Sequence, residues 1–202
     1  MKRKINSVLI ALTVVTACSH KESISSIEFK ADEQSSVAEW KGSAPTHFHE
    51  GAFKVSGTLQ TDGNGTITGG DFTIPIASIS NIDLTNEAER EALLNHLKSP
   101  DFFNMAMHPD ARFHITKAEP YKSAGSAANT LITGDFTMVG QTHPIQIPAT
   151  VTWNRQKVSA EGSFKLNRLQ WGMNSYNDPG QQLYILPDVA IKLKLHLNKS
   201  GS

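Results

Sequence analysis

Val189-Ala190-Ile191-Lys192-Leu193-Lys194-Leu195-His196-Leu197 sets an apolar side chain on every odd position, with Lys192, Lys194 and His196 on even ones. A period of two sends alternate residues to opposite faces of an extended chain, so this stretch predicts a strand with one oily face and one wet face. The same alternation recurs upstream. Phe53, Val55, Gly57 and Leu59 share a face, as do Phe72, Ile74 and Ile76, then Phe113 and Ile115, then Ile132, Gly134, Phe136 and Met138. Ile145, Ile147, Ala149, Val151 and Trp153 follow, and after them Val158, Ala160, Gly162, Phe164 and Leu166. The Asp-Gly and Asn-Gly pairs of Thr61-Asp62-Gly63-Asn64-Gly65 tolerate positive φ and predict a hairpin. With a first strand near Val37 to Trp40 the strands number about eight, at which a barrel interior just fills or holds one small ligand. The expected class is all-β, an eight-stranded antiparallel β-barrel. Alternation alone leaves a two-sheet sandwich open.

Two segments break the period. Asn86 to Asn95 is rich in helix formers, and Leu93, Leu94 and Leu97 fall on one side at helical spacing. One short helix, apolar face down over a barrel end, is predicted there, with Pro100 and Pro109 marking its exit. Asn167 to Asp188 holds Trp171, Gly172, Pro179, Gly180 and Pro187 and is long for a plain connection, as lids and rims are.

The N-terminal residues have a different character. Met1-Lys2-Arg3-Lys4 is basic, Val8 to Val15 is apolar but too short to span a bilayer, and Val15-Thr16-Ala17-Cys18 ends in the only cysteine of the chain. This resembles the signal and lipobox of a bacterial lipoprotein. Residues 1–17 are then a cleaved signal, 18–35 a lipidated N-terminus with a polar tether, and 36–198 the barrel domain. Cys18 is the expected lipidation site, and Ser19 in place of an aspartate favours the outer membrane, facing the periplasm. Removing Lys2, Arg3 and Lys4 leaves 16 basic residues against 19 acidic ones. A chain without a basic excess is a poor partner for nucleic acid.

Catalytic signatures are missing: there is no Gly-x-Ser-x-Gly elbow, no Cys-x-x-Cys and no phosphate-cradling glycine loop. The expectation is a protein that is not an enzyme and carries no cofactor. His47 and His49 alternate as two metal ligands on a strand would, but a site needs three or four, and no third is legible. His96 is expected to bond a nearby carbonyl rather than to act as a base. An apolar wall with the small residues Gly57, Gly134, Ala149, Ala160 and Gly162 fits either a hollow lumen with an apolar guest or a solid core in which small faces large.

A resemblance to a known family favours the lumen. Asn86-Glu87-Ala88-Glu89-Arg90, His96-Leu97-Lys98-Ser99-Pro100-Asp101-Phe102-Phe103 and His108-Pro109-Asp110-Ala111-Arg112-Phe113 together resemble the central signature of the YceI-like family. Ile132-Thr133-Gly134-Asp135-Phe136-Thr137-Met138-Val139-Gly140-Gln141-Thr142-His143-Pro144-Ile145 is similar to its downstream block. The resemblance covers Val37 to Leu197 and implies a lipocalin-like barrel that binds polyisoprenoid or similar long-chain lipid, with no catalytic residues. Arg90, His96, Leu97, Asp101, Phe102 and Phe103 match the signature position by position. The ligand is then expected against Phe53, Val55, Gly57, Phe72, Ile74, Leu97, Phe103, Phe113, Phe136, Ile147, Ala149, Ala160, Gly162, Phe164 and Leu193. The chain departs from the family at Pro45-Thr46-His47-Phe48-His49-Glu50-Gly51.

Overall fold

The structure, a computed structural model, describes residues 26–201. The signal segment and Cys18 lie outside the described residues. The elements run β1 Ile27–Ala31, β2 Val37–Ser43, β3 Phe48–Lys54, β4 Ser56–Thr61, β5 Ile67–Pro75, β6 Ser80–Asn81, α1 Glu87–Lys98, β7 Asp110–Pro120, β8 Thr130–Met138, β9 Gln141–Trp153, β10 Lys157–Asn167 and β11 Asp188–Lys199.

All of the neighbouring strands pair antiparallel, and β11 closes the sheet. Along one edge it pairs with β10, from Leu166↔Val189 to Lys157↔Asn198; along the other it pairs first with β2, Lys41↔Ala190 to Val37↔Lys194, and then with β1, Ala31↔Leu197 to Phe29↔Lys199. β1 and β2 are therefore one interrupted strand. Its break at Asp32–Ser36 is tied locally: the Asp32 carboxylate accepts from Gln34 N–H at 3.0 Å and Ser35 hydroxyl at 2.9 Å, and Ser36 Oγ donates to His196 O at 3.1 Å. β3 and β4 are likewise halves of one strand bent at Val55, and β6 continues β5 past a 3-10 turn at Ile76–Ser78. Eleven segments thus fill the eight positions of a closed antiparallel barrel, which excludes the sandwich.

One boundary needs correction. The stretch read as tether contributes β1, and Phe29 within it is 0% exposed, so the barrel begins at Ile27 rather than Ser36. Ile27-Glu28-Phe29-Lys30-Ala31 does alternate, but over five residues beside polar, serine-rich sequence, where composition masks the period.

The helix runs to Lys98, past the expected Asn95. Asn86 caps it by accepting from Ala88 N–H at 2.9 Å and Glu89 N–H at 3.2 Å, while Glu87 and Glu89 in the first turn and His96 and Lys98 in the last suit the helix dipole. Ser99 ends it because a residue before proline is pushed out of the helical region. Leu94 and Leu97 pack against the core, so the helix does lie apolar-side down. Among the described residues no helix is long and apolar enough to cross a membrane.

Candidate functional site: an apolar lumen with a polar rim

The inward set divides into two zones. At the end where β1 begins and β11 finishes, Phe29, Leu59, Thr61, Val158 and Leu197 are all at most 3% exposed and form a plug, with Leu59 and Leu197 on its lumen side. Toward the other end the inward residues Ile74, Phe113, Ile145, Phe164, Val189, Ile191, Leu193 and Leu195 are only half-buried, although none of them points to the outer face. Apolar side chains directed inward yet still accessible line empty space. That space is a cavity of about 290 Å³, near the lower end of the usual range of about 300–1,000 Å³ for small-molecule sites. Both alternatives left open by the small residues therefore occur, one at each end of the barrel.

Phe53, Val55, Phe72, Ile74, Leu97, Phe103, Phe113, Phe136, Ile147, Ala149, Ala160, Gly162, Phe164 and Leu193 all lie on the cavity wall. Gly57 does not. Its φ of 139° belongs to glycine, and a Cβ there would meet Asp71 O at 2.1 Å, so Gly57 serves a close approach of β4 to β5. Gly134 and Gly162 do not widen the lumen either: a Cβ at Gly134 would meet the Phe113 ring at 2.6 Å, and one at Gly162 would meet Ile147 Cγ2 at 2.9 Å. Their space is already taken by the neighbouring strand's side chains. The wall also includes Ala38, Trp40, Ile79, Met173 and Ile185, of which the last two come from the long irregular stretch.

At the open end the wall changes chemistry. On β2 and β3 the pairs Ala38↔Phe53, Trp40↔Gly51 and Gly42↔His49 continue the inward face to the rim, so His49 and His47 face the lumen, Glu50 faces outward with Lys41, and Phe48, its ring under the Lys41 ammonium, borders the mouth. His49 Nδ1 lies 2.8 Å from Asp83 Oδ2. The same carboxylate accepts Glu50 N–H at 2.8 Å and Asn81 Nδ2–H at 2.5 Å. Burial of Asp83 works to raise its pKa, but these bonds from Glu50, His49 and Asn81 together hold it below the ordinary 3.8. The rings of His47 and His49 stand 5.5 Å apart, and no group of three or more His, Cys, Asp or Glu suited to a metal ion occurs among the described residues.

Across the rim, His96 Nε2 is 3.1 Å from Asp101 Oδ2 and 3.3 Å from the Tyr176 hydroxyl, rather than bonded to a carbonyl. Phe102 packs edge-on to His96 and stacks on Tyr176. Phe103 N–H returns to Leu97 O at 3.0 Å and its ring meets Phe53, while Arg90 Nη1 donates to Leu84 O at 3.2 Å. The family-like signature thus builds the helix, its exit and one side of the mouth.

The other side is a strap, residues 172–187, organised by a residue that carried no sequence signal. Arg168 is 3% exposed and its five N–H groups donate to the carbonyls of Met173, Ser175, Tyr176, Ile185 and Leu186. Burial lowers its pKa, but a guanidinium stays charged at neutral pH. Trp171, 1% exposed, anchors the strap's start by donating to Phe136 O at 3.1 Å. Among the described residues, Phe48, Ile82, Met107, Leu183 and Leu186 are the large apolar side chains left exposed, and all of them sit at this open end.

Comparison with known proteins agrees with this geometry. A YceI-like domain model matches residues 22–197. A UPF0312 protein of Pseudomonas putida is 30% identical over 188 residues, covering 86% of this chain and 90% of the relative. Another, from Pseudomonas savastanoi pv. phaseolicola, is 33% identical over 147 residues, 67% of this chain and 72% of the relative. In fold the chain is similar to the crystal structure of Burkholderia cenocepacia BcnA, with a TM-score of 0.66 at 22% identity over 82% of this chain and 98% of that one. It is also similar to a Campylobacter jejuni YCEI protein, with a TM-score of 0.56 at 21% identity over 71% and 80%.

Proposed function

The chain belongs to the YceI-like domain family, and on that premise we propose that it binds, stores or carries one long apolar molecule, of polyisoprenoid or other long-chain lipid type, within its lumen. The observation that carries this reading is the half-burial of inward Ile, Leu, Val and Phe side chains around an open cavity. Each methylene moved from water onto such a wall contributes about 0.8 kcal/mol, and a wall without directional bonds selects length and shape. The exposed apolar rim supports entry at the end framed by the β2–β3 hairpin, α1 and the strap.

The proposed setting is the bacterial envelope, with the protein anchored through a lipid on Cys18 and facing the periplasm from the outer membrane. The basic, apolar and Cys-terminated order of residues 1–18 supports this. Cys18→Ser is expected to move the protein from the membrane to the soluble periplasmic fraction. Unchanged membrane association would remove the lipoprotein part of the proposal and leave the lumen untouched.

Titration of the delipidated protein with a fluorescent apolar probe, followed by competition with n-alkyl chains of increasing length, tests the binding itself. Affinity should climb with chain length until the lumen is filled. Uptake independent of length, or none, would overturn the proposal.

A further inference from the structure

The lumen wall is apolar except at its rim, and there the polar groups are not equivalent. A guest with a head group must place it among them. We propose that His49, with His47 beside it, is the head-group site of the lumen guest, and that it selects an uncharged head that donates a hydrogen bond, such as that of a long-chain alcohol, over a carboxylate or phosphate. This rests on the lumen being a binding space.

His49 is oriented by its partner. An ionised carboxylate only accepts, so the imidazole nitrogen 2.8 Å from Asp83 carries the proton, and in a neutral ring Nε2 is then a lone-pair acceptor. Asp83 is itself fixed by Glu50 N–H and Asn81, so the tautomer is set by three converging contacts. Nε2 of His49 makes no hydrogen bond to the described residues, while His49 lies on the cavity wall. An acceptor at the end of an oily tube matches a hydroxyl or amide N–H at the end of an oily chain.

The charges around the rim argue against an anion. The Arg168 guanidinium is the cation on the cavity wall, and all five of its N–H groups are engaged by backbone carbonyls. Lys41 sits on the outer face, 3.4 Å above the Phe48 ring and 3.7 Å from Glu50. Asp83 and Asp101 meanwhile stand behind His49 and His96. A carboxylate head would meet carboxylates and no unspent guanidinium or ammonium, the neutral Trp40 indole N–H being the buried donor left without a partner on the wall.

The test is competitive displacement of an apolar fluorescent probe from the intact protein by oleyl alcohol, oleate and the matching octadecene, at about pH 8. The alcohol should displace the probe at a concentration about 3- to 10-fold below that of the alkene and of oleate, the worth of one net hydrogen bond. His49→Phe should abolish that advantage and leave the alkene unchanged, whereas His49→Gln, whose amide oxygen still accepts, should retain most of it. Should His49→Phe fail to fold, Asp83→Asn, which releases the ring from its fixed tautomer, should reduce the advantage by at least half. Oleate binding as tightly as the alcohol, or an advantage that survives His49→Phe or Asp83→Asn, would overturn the site. Chains that bind with no head preference would sink this inference alone; no binding by any chain would sink the proposed function as well.

Discussion

Ala160→Phe places an aromatic ring where β10 faces open lumen, and Val158→Phe places the same ring two residues away on the same face, where the barrel is solid. Ala160 lies on the cavity wall and is half-buried, whereas Val158 is 2% exposed within the plug. A benzene ring fits a cavity of about 150 Å³, so the 290 Å³ of lumen can accept it with room left over. Ala160→Phe should therefore hold stability within about 1 kcal/mol of wild type, while Val158→Phe forces its neighbours off their rotamers and costs about 1–3 kcal/mol or more. Gly162 is no substitute for Ala160, because even a Cβ there would meet Ile147 Cγ2 at 2.9 Å. Urea unfolding of both variants gives the stabilities, and probe titration gives the remaining capacity. The added ring at position 160 should lower probe uptake several-fold, with Val158→Phe binding normally wherever it stays folded. Equal destabilisation by the two substitutions would show that the lumen is packed throughout, and undiminished uptake by Ala160→Phe would show that the probe binds elsewhere.

Leu97→Ala should cost about 1–2 kcal/mol by urea unfolding, below the 2–5 typical of a fully buried leucine, because Leu97 is half-buried on the lumen wall; an unmoved midpoint would show that α1 adds nothing to the core. Arg168→Met should cost about 3 kcal/mol or more and open residues 173–186 to proteolysis, since five carbonyls lose their donor at once; unchanged protease resistance would refute its role in holding the strap. Asp83 has a folded pKa below its ordinary 3.8, so its contribution is fully present above that value and is lost as pH falls through the lower one. Asp83→Asn should accordingly be less stable than wild type near neutral pH, with the gap closing in acid; a gap constant with pH would refute the linkage.

The barrel was legible because two-residue alternation is local: the odd positions of 189–197 and the even positions of 158–166 point inward as their period requires. The interruptions at Asp32–Ser36, Val55 and Ile76–Ser78 were not, since each is a bend imposed by closing the sheet. Closure itself rests on pairs such as Ala31↔Leu197, whose partners lie at opposite ends of the chain. Lumen residues could be named from face alone, but Gly57 shows the limit, because a glycine on the inward period can serve a backbone crossing instead of a cavity. Arg168 was invisible for a similar reason. Nothing in Asn167-Arg168-Leu169-Gln170-Trp171 indicates that five carbonyls of a later loop will wrap the guanidinium. His47 and His49 were noticed as a pair, and only the pairing of Gly42 with His49 and the contact with Asp83 turned them from candidate metal ligands into the polar end of a lumen.

Native mass spectrometry of the protein, purified from its own cells without harsh detergent, tests the central claim most directly. A hollow apolar lumen closed at one end predicts one bound molecule per chain, with the mass of a long-chain lipid, lost or reduced in Ala160→Phe. A protein that emerges empty and stays empty after incubation with long-chain lipids would contradict it.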